Sequence, residues 1–172
     1  MKCLTFIAIW ALLTVTGHAG EPPRKAGAEL RNSGGMSVGH ARLAETPAGV
    51  KMMFELSGLP PGRHGFHIHA TGSCEPPDFK SAGGHFNPYG RKHGAKNPQG
   101  MHAGDLPNLV VKPDGTASGE LVLSNMTLGP GSASLLEPEG TALVIHADPD
   151  DEMTDPAGNA GARIACGVII RE

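Results

Sequence analysis

Glycine and proline set the strongest limit on what this chain can fold into. They occupy 25 and 15 of its 172 positions and are scattered along its length. In a helix interior each glycine costs roughly 1 kcal/mol and each proline roughly 3 kcal/mol relative to alanine. No window of eleven or more residues repeats its apolar positions at the helical period. What survives between the breaks is a set of short runs with period-two character at 36–45, 50–56, 64–69, 109–112 and 118–123, and β-branched apolar runs at 141–146 and 163–170. Thr46-Pro47-Ala48-Gly49 joins the first two, and Pro113-Asp114-Gly115 joins the fourth and fifth, both as hairpin-like turns. Alternation puts every second side chain on one face, and short β-branched apolar runs also read as strands. The pattern predicts an all-β sandwich or barrel. There is no Gly-X-Y period, so a collagen-like rod is excluded. A formal net charge of −3 with nine histidines argues against a nucleic-acid binder, whose domains are strongly basic.

The first residues read as an address. Lys2 supplies a positive start, Leu4 to Val15 is apolar, and Gly17-His18-Ala19 places small residues before a cleavage point. This is the secretory pattern, and the apolar run falls short of the ~20 residues that span a bilayer. The expected organisation is a signal peptide over 1–19, a polar flexible arm over 20–35 and one domain over 36–172, with no membrane anchor. Cleavage removes Lys2, taking the net charge from −3 to −4, and removes Cys3 and the single tryptophan, Trp10. Cys74 and Cys166 remain, and two cysteines in an exported chain predict one disulfide. Closing so long a loop is nominally worth ~4–5 kcal/mol in the chain-entropy model.

Two stretches do not read as strands. Residues 72–106 are rich in Gly, Pro, Asn and His, and 148–161 are acidic and Gly-rich. Ordered loops of such length need a fastener, and the histidines suggest one. On a strand, His67-Ile68-His69 presents two imidazoles on one face. His146 ends another apolar run and can close the set, and a site built mainly of imidazole suits copper. In the long loop, His85, His93, His102 and Asp105 form a four-ligand set suited to zinc, closed and therefore structural. His40 reads as an ordinary strand histidine, and His18 lies in the signal segment.

Six blocks then carry a resemblance. His64-Gly-Phe-His-Ile-His69, Gly83-Gly-His-Phe-Asn-Pro88, Arg91-Lys-His-Gly94, His102-Ala-Gly-Asp105, Leu143-Val-Ile-His146 and Gly161-Ala-Arg-Ile-Ala-Cys-Gly-Val168 together resemble copper/zinc superoxide dismutase, most closely its bacterial periplasmic branch, over roughly residues 36–170. The resemblance implies an eight-stranded antiparallel Greek-key β-barrel with two long functional loops. It implies one copper per subunit on His67, His69, His85 and His146, and one zinc on His85, His93, His102 and Asp105, with His85 shared. It implies that Asp150 links His67 to His93 from outside the metal shell, with Asp148 and Asp151 as near alternatives, and that His64 is structural. Arg163 matches the arginine that docks superoxide beside copper, a role suited to a permanently charged, fork-shaped donor. His85 and Arg163 would then be the catalytic residues. Catalysis would dismute superoxide to oxygen and hydrogen peroxide.

The segment between His146 and Arg163 contains no lysine, so the cation that guides substrate must lie elsewhere. Lys80, in the loop after Cys74, is the candidate. The expected location is the periplasm, or outside the cell if the source is not Gram-negative, and the expected assembly is a monomer or homodimer with no nucleic-acid partner. The alternative is a non-catalytic periplasmic copper/zinc-binding protein of the same fold. Such relatives usually lose a copper ligand or the arginine, and this chain keeps them all.

Overall fold

The computed structural model describes residues 23–172. Among these residues the strands are β1 (Lys25–Asn32), β2 (Ser37–Thr46), β3 (Gly49–Leu56), β4 (Gly62–His64), β5 (Phe66–His69), β6 (Leu109–Val111), β7 (Ala117–Leu123), β8 (Thr141–His146) and β9 (Arg163–Arg171). All pairings are antiparallel, in a seven-stranded sheet of order β5-β8-β9-β1-β2-β3-β7 and a two-stranded sheet β4-β6. Strands β4 and β5 are one segment interrupted at Gly65, so eight strand segments wrap the core. The step from one sheet to the other is fixed from a distance: the Gly65 amide donates to the Asp148 carbonyl at 2.8 Å, and the His146 amide donates to the Gly65 carbonyl at 2.8 Å. The secretory segment expected over 1–19 lies outside the described residues.

The flexible arm expected over 20–35 is not what forms. Residues 25–32 are the central strand β1, bonded to β2 on one side and β9 on the other. The sequence KAGAELRN alternates, but its inward residues are Ala26, Ala28 and Leu30. Two alanines give little apolar signal on their own, and the strand gains its burial from the two neighbours that cover it.

The core is aliphatic. Leu30, Leu43, Met52, Ile68, Leu143 and Ile145 are fully buried, and Phe54 meets Phe66 edge-to-face at 5.4 Å between ring centroids. Strand β8 is covered on both faces. Leu143 and Ile145 point into this core, whereas Ala142 and Val144 pack in a second small cluster with Phe79, Ala82 and Cys166. That second cluster lies beneath the loop carrying Cys74, which is joined to Cys166 by a disulfide with a Cα–Cα distance of 5.7 Å.

The long loop returns across β5 and bonds to it through the main chain. The Phe86 amide donates to Ile68 O at 2.8 Å, the Ile68 amide to Gly104 O at 2.9 Å, and the Gly104 amide to Phe86 O at 2.8 Å. A side chain at Gly104 would put its Cβ 2.2 Å from the Ile68 carbonyl, so only glycine lets the loop come this close. Among the described residues, helix is limited to the 3-10 turn Lys80–Ala82, and no helix is long and apolar enough to cross a membrane.

Candidate metal centre

Strand alternation sets the positions first. Phe66 and Ile68 point into the barrel, so His67 and His69 point to the opposite face of β5, where the loop over residues 84–106 covers them. Both are fully buried. In the loop, His85 lies opposite His69 and Asp105 lies opposite His67, each as an antiparallel bridge. His146 ends β8 beside β5, at a bulge where it pairs with Arg163 of β9. Three backbone segments distant in sequence thus bring their ligand-bearing side chains together.

Two sets share His85. The ligand atoms of His67, His69, His85 and His146 lie within 4.8 Å of one another, as do those of His85, His93, His102 and Asp105. A third grouping, His67, His93 and Asp150, joins the two.

Hydrogen bonds on the far side of each ring fix the tautomers and show what the near side must meet. His69 donates from Nδ1 to the Gly83 carbonyl at 2.9 Å, and His146 donates from Nδ1 to the Gly161 carbonyl at 3.3 Å. His67 donates from Nε2 to Asp150 Oδ2 at 2.8 Å. A neutral imidazole that donates from one nitrogen carries a lone pair on the other. Three lone pairs therefore converge: His69 Nε2, His146 Nε2 and His67 Nδ1. The two Nε2 atoms are 3.4 Å apart, and His67 Nδ1 and His85 Nε2 are buried without any partner. Burial suppresses protonation here. It pushes the pKa of His69 down to about 2, of His146 to about 3 and of His85 to about 4, with the neighbouring histidines and, for His69 and His146, Arg163 adding to the effect. Buried acceptors facing one another are costly unless a cation sits between them. Four imidazole nitrogens match copper.

The second set makes the same case for zinc. Nδ1 of His85, His93 and His102 lies 2.8, 3.1 and 3.2 Å from one atom, Asp105 Oδ1. His93 already donates from Nε2 to Asp150 Oδ1 at 2.9 Å, so Nδ1 is the nitrogen it turns toward Asp105. Asp105 Oδ2 is held by the amides of Gly94 at 2.9 Å and His102 at 3.0 Å, which aims Oδ1 at the histidines. Burial opposes ionisation of Asp105, but the His85 hydrogen bond and the Gly94 amide outweigh it and hold the carboxyl below the usual range. Three imidazoles and one carboxylate with no open position are the donors of a closed zinc site.

The carboxylate joining His67 to His93 is that of Asp150. Burial raises its pKa, but the His67 and His93 hydrogen bonds and the Glu152 amide prevail and lower it to about 2. Asp151 instead closes its own turn, accepting from the amides of Met153 and Thr154 and from Asn159 Nδ2. The main chain of Asp148 bonds to Ala160 and Gly65. Glu152 and Asp155 pair with Lys96 and Lys92 at 3.0 Å each, tying the acidic loop to the zinc-side loop.

Arg163 donates from Nη1 to Phe79 O and from Nη2 to Gly83 O, both at 2.6 Å. Carbonyl partners orient the guanidinium without neutralising it. Burial lowers its pKa and the Asp78 carboxylate opposes that. The Gly83 carbonyl accepts from both His69 and Arg163, so one peptide group sets the spacing between ligand and guanidinium. Lys80 is 82% exposed and pairs with Asp78 at 2.8 Å, which offsets its charge locally. His64 contacts the carbonyls of Pro60, His146 and Ala147 and belongs to neither set. His40 lies on the β2 strand between Glu29 and Glu55, away from the clusters.

Several contributors escape sequence reasoning. The carbonyls of Gly83 and Gly161 fix two rings, and Asn108 contacts Asp150, but main-chain acceptors have no residue signature. The double glycine before His85 is the one local hint.

The antiparallel barrel and the doubled cluster with a shared imidazole define a two-metal β-barrel protein of copper and zinc. Residues 37–169 match the family model described as copper/zinc superoxide dismutase. Superoxide dismutase [Cu-Zn] 2 of Aquifex aeolicus is 49% identical over 171 residues, covering 98% of this chain and 99% of that protein. Superoxide dismutase [Cu-Zn] of Caulobacter vibrioides is 43% identical over 147 residues, covering 84% of each. The crystal structure of a SOD-like protein from Bacillus subtilis superimposes with a TM-score of 0.81 at 41% identity, covering 84% of this chain and 97% of that one. The chain belongs to the copper/zinc superoxide dismutase family. Its activity is the dismutation of superoxide, and its cofactors are copper and zinc.

Proposed function

We propose that His67, His69, His85 and His146 hold one copper per subunit, that His85, His93, His102 and Asp105 hold one zinc, and that Arg163 docks superoxide beside the copper. The convergence of unpartnered imidazole nitrogens, His67 Nδ1 and His85 Nε2 above all, carries this reading. Copper, when bound, supplies one-electron redox chemistry, while zinc has none. Two superoxide anions and two protons become one oxygen and one hydrogen peroxide. The chain's part is to place and protonate. Arg163 offers an anion a fixed cation next to His146, its cross-strand partner. With zinc bound, His85 would give Nδ1 to the zinc set beside Asp105, which leaves Nε2 as the atom able to hold a proton for the peroxide product. Asp150 keeps His67 and His93 in one tautomer each, as outer carboxylates do for metal-binding histidines.

The non-catalytic alternative needs a missing copper-side histidine or a missing arginine, and neither is missing. Lys80 adds to substrate guidance only weakly because Asp78 pairs with it. We place the protein in the periplasm, or outside the cell in a source without one. Residues 1–19 act as a cleaved signal, and the Cys74–Cys166 disulfide suits an oxidising compartment. Cell fractionation tests this, and activity confined to the cytoplasm with residues 1–19 intact would overturn it. We take the protein to be a monomer or homodimer, which sedimentation decides.

Single substitutions test the assignment. His146→Ala should lose copper and keep zinc, and His102→Ala should weaken zinc first. Arg163→Ala should keep both metals and lose about tenfold in rate at low salt, while Lys80→Ala flattens the salt dependence slightly. Full copper retention in His146→Ala contradicts the ligand set.

A further inference from the structure

Asn108 stands outside both ligand sets, just before β6 and three residues after Asp105. Its side-chain amide makes a reciprocal pair of bonds with the main chain of Asp150. Asn108 Nδ2 donates to Asp150 O at 2.8 Å, and Asn108 Oδ1 accepts from the Asp150 amide at 2.8 Å. One planar group thereby satisfies both polar main-chain atoms of Asp150, as a neighbouring strand would. The Asp150 carboxylate is then committed to His67 at 2.8 Å and His93 at 2.9 Å, one ring from each metal set. The Glu152 amide donates to Oδ1 of the same carboxylate at 2.6 Å.

We infer that Asn108 is a positioning residue that sets the orientation of both metal sites together, by clamping the backbone from which Asp150 reaches His67 and His93. The inference rests on the ligand sets proposed above. Backbone geometry explains why one amide matters to both. A carboxylate that accepts from two rings has no slack, so displacing its Cα rotates either or both imidazoles. The chain also ties the clamp to the zinc side directly, since Asp105-Leu106-Pro107-Asn108 is a single short step whose proline stiffens it. Asn108→Ala removes both bonds to Asp150 and the longer one from Nδ2 to Glu152 Oε1 at 3.4 Å. Asn108→Asp keeps the volume and the acceptor for the Asp150 amide, but turns a second acceptor toward the Asp150 carbonyl.

The test uses the full protein loaded with copper, and with cobalt(II) in place of zinc as a spectroscopic probe. Wild-type binding of both metals, with imidazole signatures, tests the ligand sets themselves. The difference between wild type and variants tests Asn108. In both variants the copper(II) paramagnetic resonance spectrum and the cobalt(II) visible band should shift together, and the zinc dissociation constant should rise by about tenfold, the low end of what outer-shell changes produce. Val111→Ala, a core change in β6, serves as the control: it should lower thermal stability and leave both spectra in place. Unchanged spectra and zinc affinity within twofold in Asn108→Asp would overturn the inference, whatever the melting temperature. A shift in one metal's spectrum without the other would overturn the coupling.

Discussion

Asp150 depends on a residue that has no side chain. Gly158 lies at φ +61°, and a Cβ there would sit 1.8 Å from Asp150 Oδ1 and 2.6 Å from His93 Nε2. The acidic loop therefore closes over the bridging carboxylate only because Gly158 leaves the space. Gly158→Ala must push Asp150 away and strain the backbone as well. Zinc affinity in that variant should fall by about 10–100-fold, the range for lost outer-shell partners. Chelator competition measures it, and wild-type affinity would show that the loop relaxes without moving Asp150. The contrast between Asp150 and Asp151 makes the same point from the other side. Two adjacent carboxylates of equal chemistry differ because one points at two buried rings and the other at its own turn.

Strand β9 and the Cys74 loop show how elements hold a charged side chain in place. Arg163 begins β9, but both acceptors of its guanidinium, Phe79 O and Gly83 O, belong to the loop. The Cys74–Cys166 disulfide fastens that loop to the same strand three residues further on. Reducing it, or replacing Cys74 with Ala, should cost about 2–5 kcal/mol of stability and lower the rate while the metals stay bound. Unfolding curves and metal content with and without reductant check this, and an unchanged rate in the reduced, metal-loaded protein would detach the disulfide from Arg163. Strands of this kind differ in how well a sequence announces them. The runs that became β2 and β3 alternate apolar and polar residues, those that became β8 and β9 are continuously apolar and β-branched, and β7 follows the Pro113-Asp114-Gly115 turn, so all five are legible. Strand β1 is built on Ala26 and Ala28, and its identity comes from β2 and β9 rather than from itself. The break at Gly65 is set by Asp148, a residue more than eighty positions away, and no local pattern encodes it. The ligands were legible because period-two geometry gives His67-Ile68-His69 a shared face. The orientation of the rings was not, because main-chain carbonyls and the Asn108 amide supply it.

For the whole molecule, a barrel with few aromatics carries two long loops, and buried imidazoles govern how it responds to acid. In the metal-free protein His69, His85 and His146 are held neutral, with pKa values pushed below the ordinary 6.5 to about 2, 4 and 3. Below pH 6.5 the unfolded chain takes up protons that the folded chain refuses, so folding stability falls as pH drops through this window. Asp150, lowered from 3.8 to about 2, adds a further loss between those values. Denaturant titrations of the metal-free protein should show stability declining steadily from about pH 6.5 downward; a flat profile between pH 6.5 and 4 would contradict the burial of these rings. Metal should protect, since ligand nitrogens must be unprotonated to bind. The mature chain proposed above, without residues 1–19, carries a net charge of −4, which repels an anionic substrate at long range, so attraction must come from Arg163, whose guanidinium is held by main-chain carbonyls. Catalysis as proposed depends on a copper held by four histidines beside a structural zinc. The most direct measurement is superoxide consumption by the purified protein of known metal content, before copper removal, after it, and after copper is restored. About one copper and one zinc per chain are expected, with activity that disappears with copper while zinc stays and that returns on re-addition. Stoichiometric zinc with no copper-dependent consumption of superoxide would contradict it.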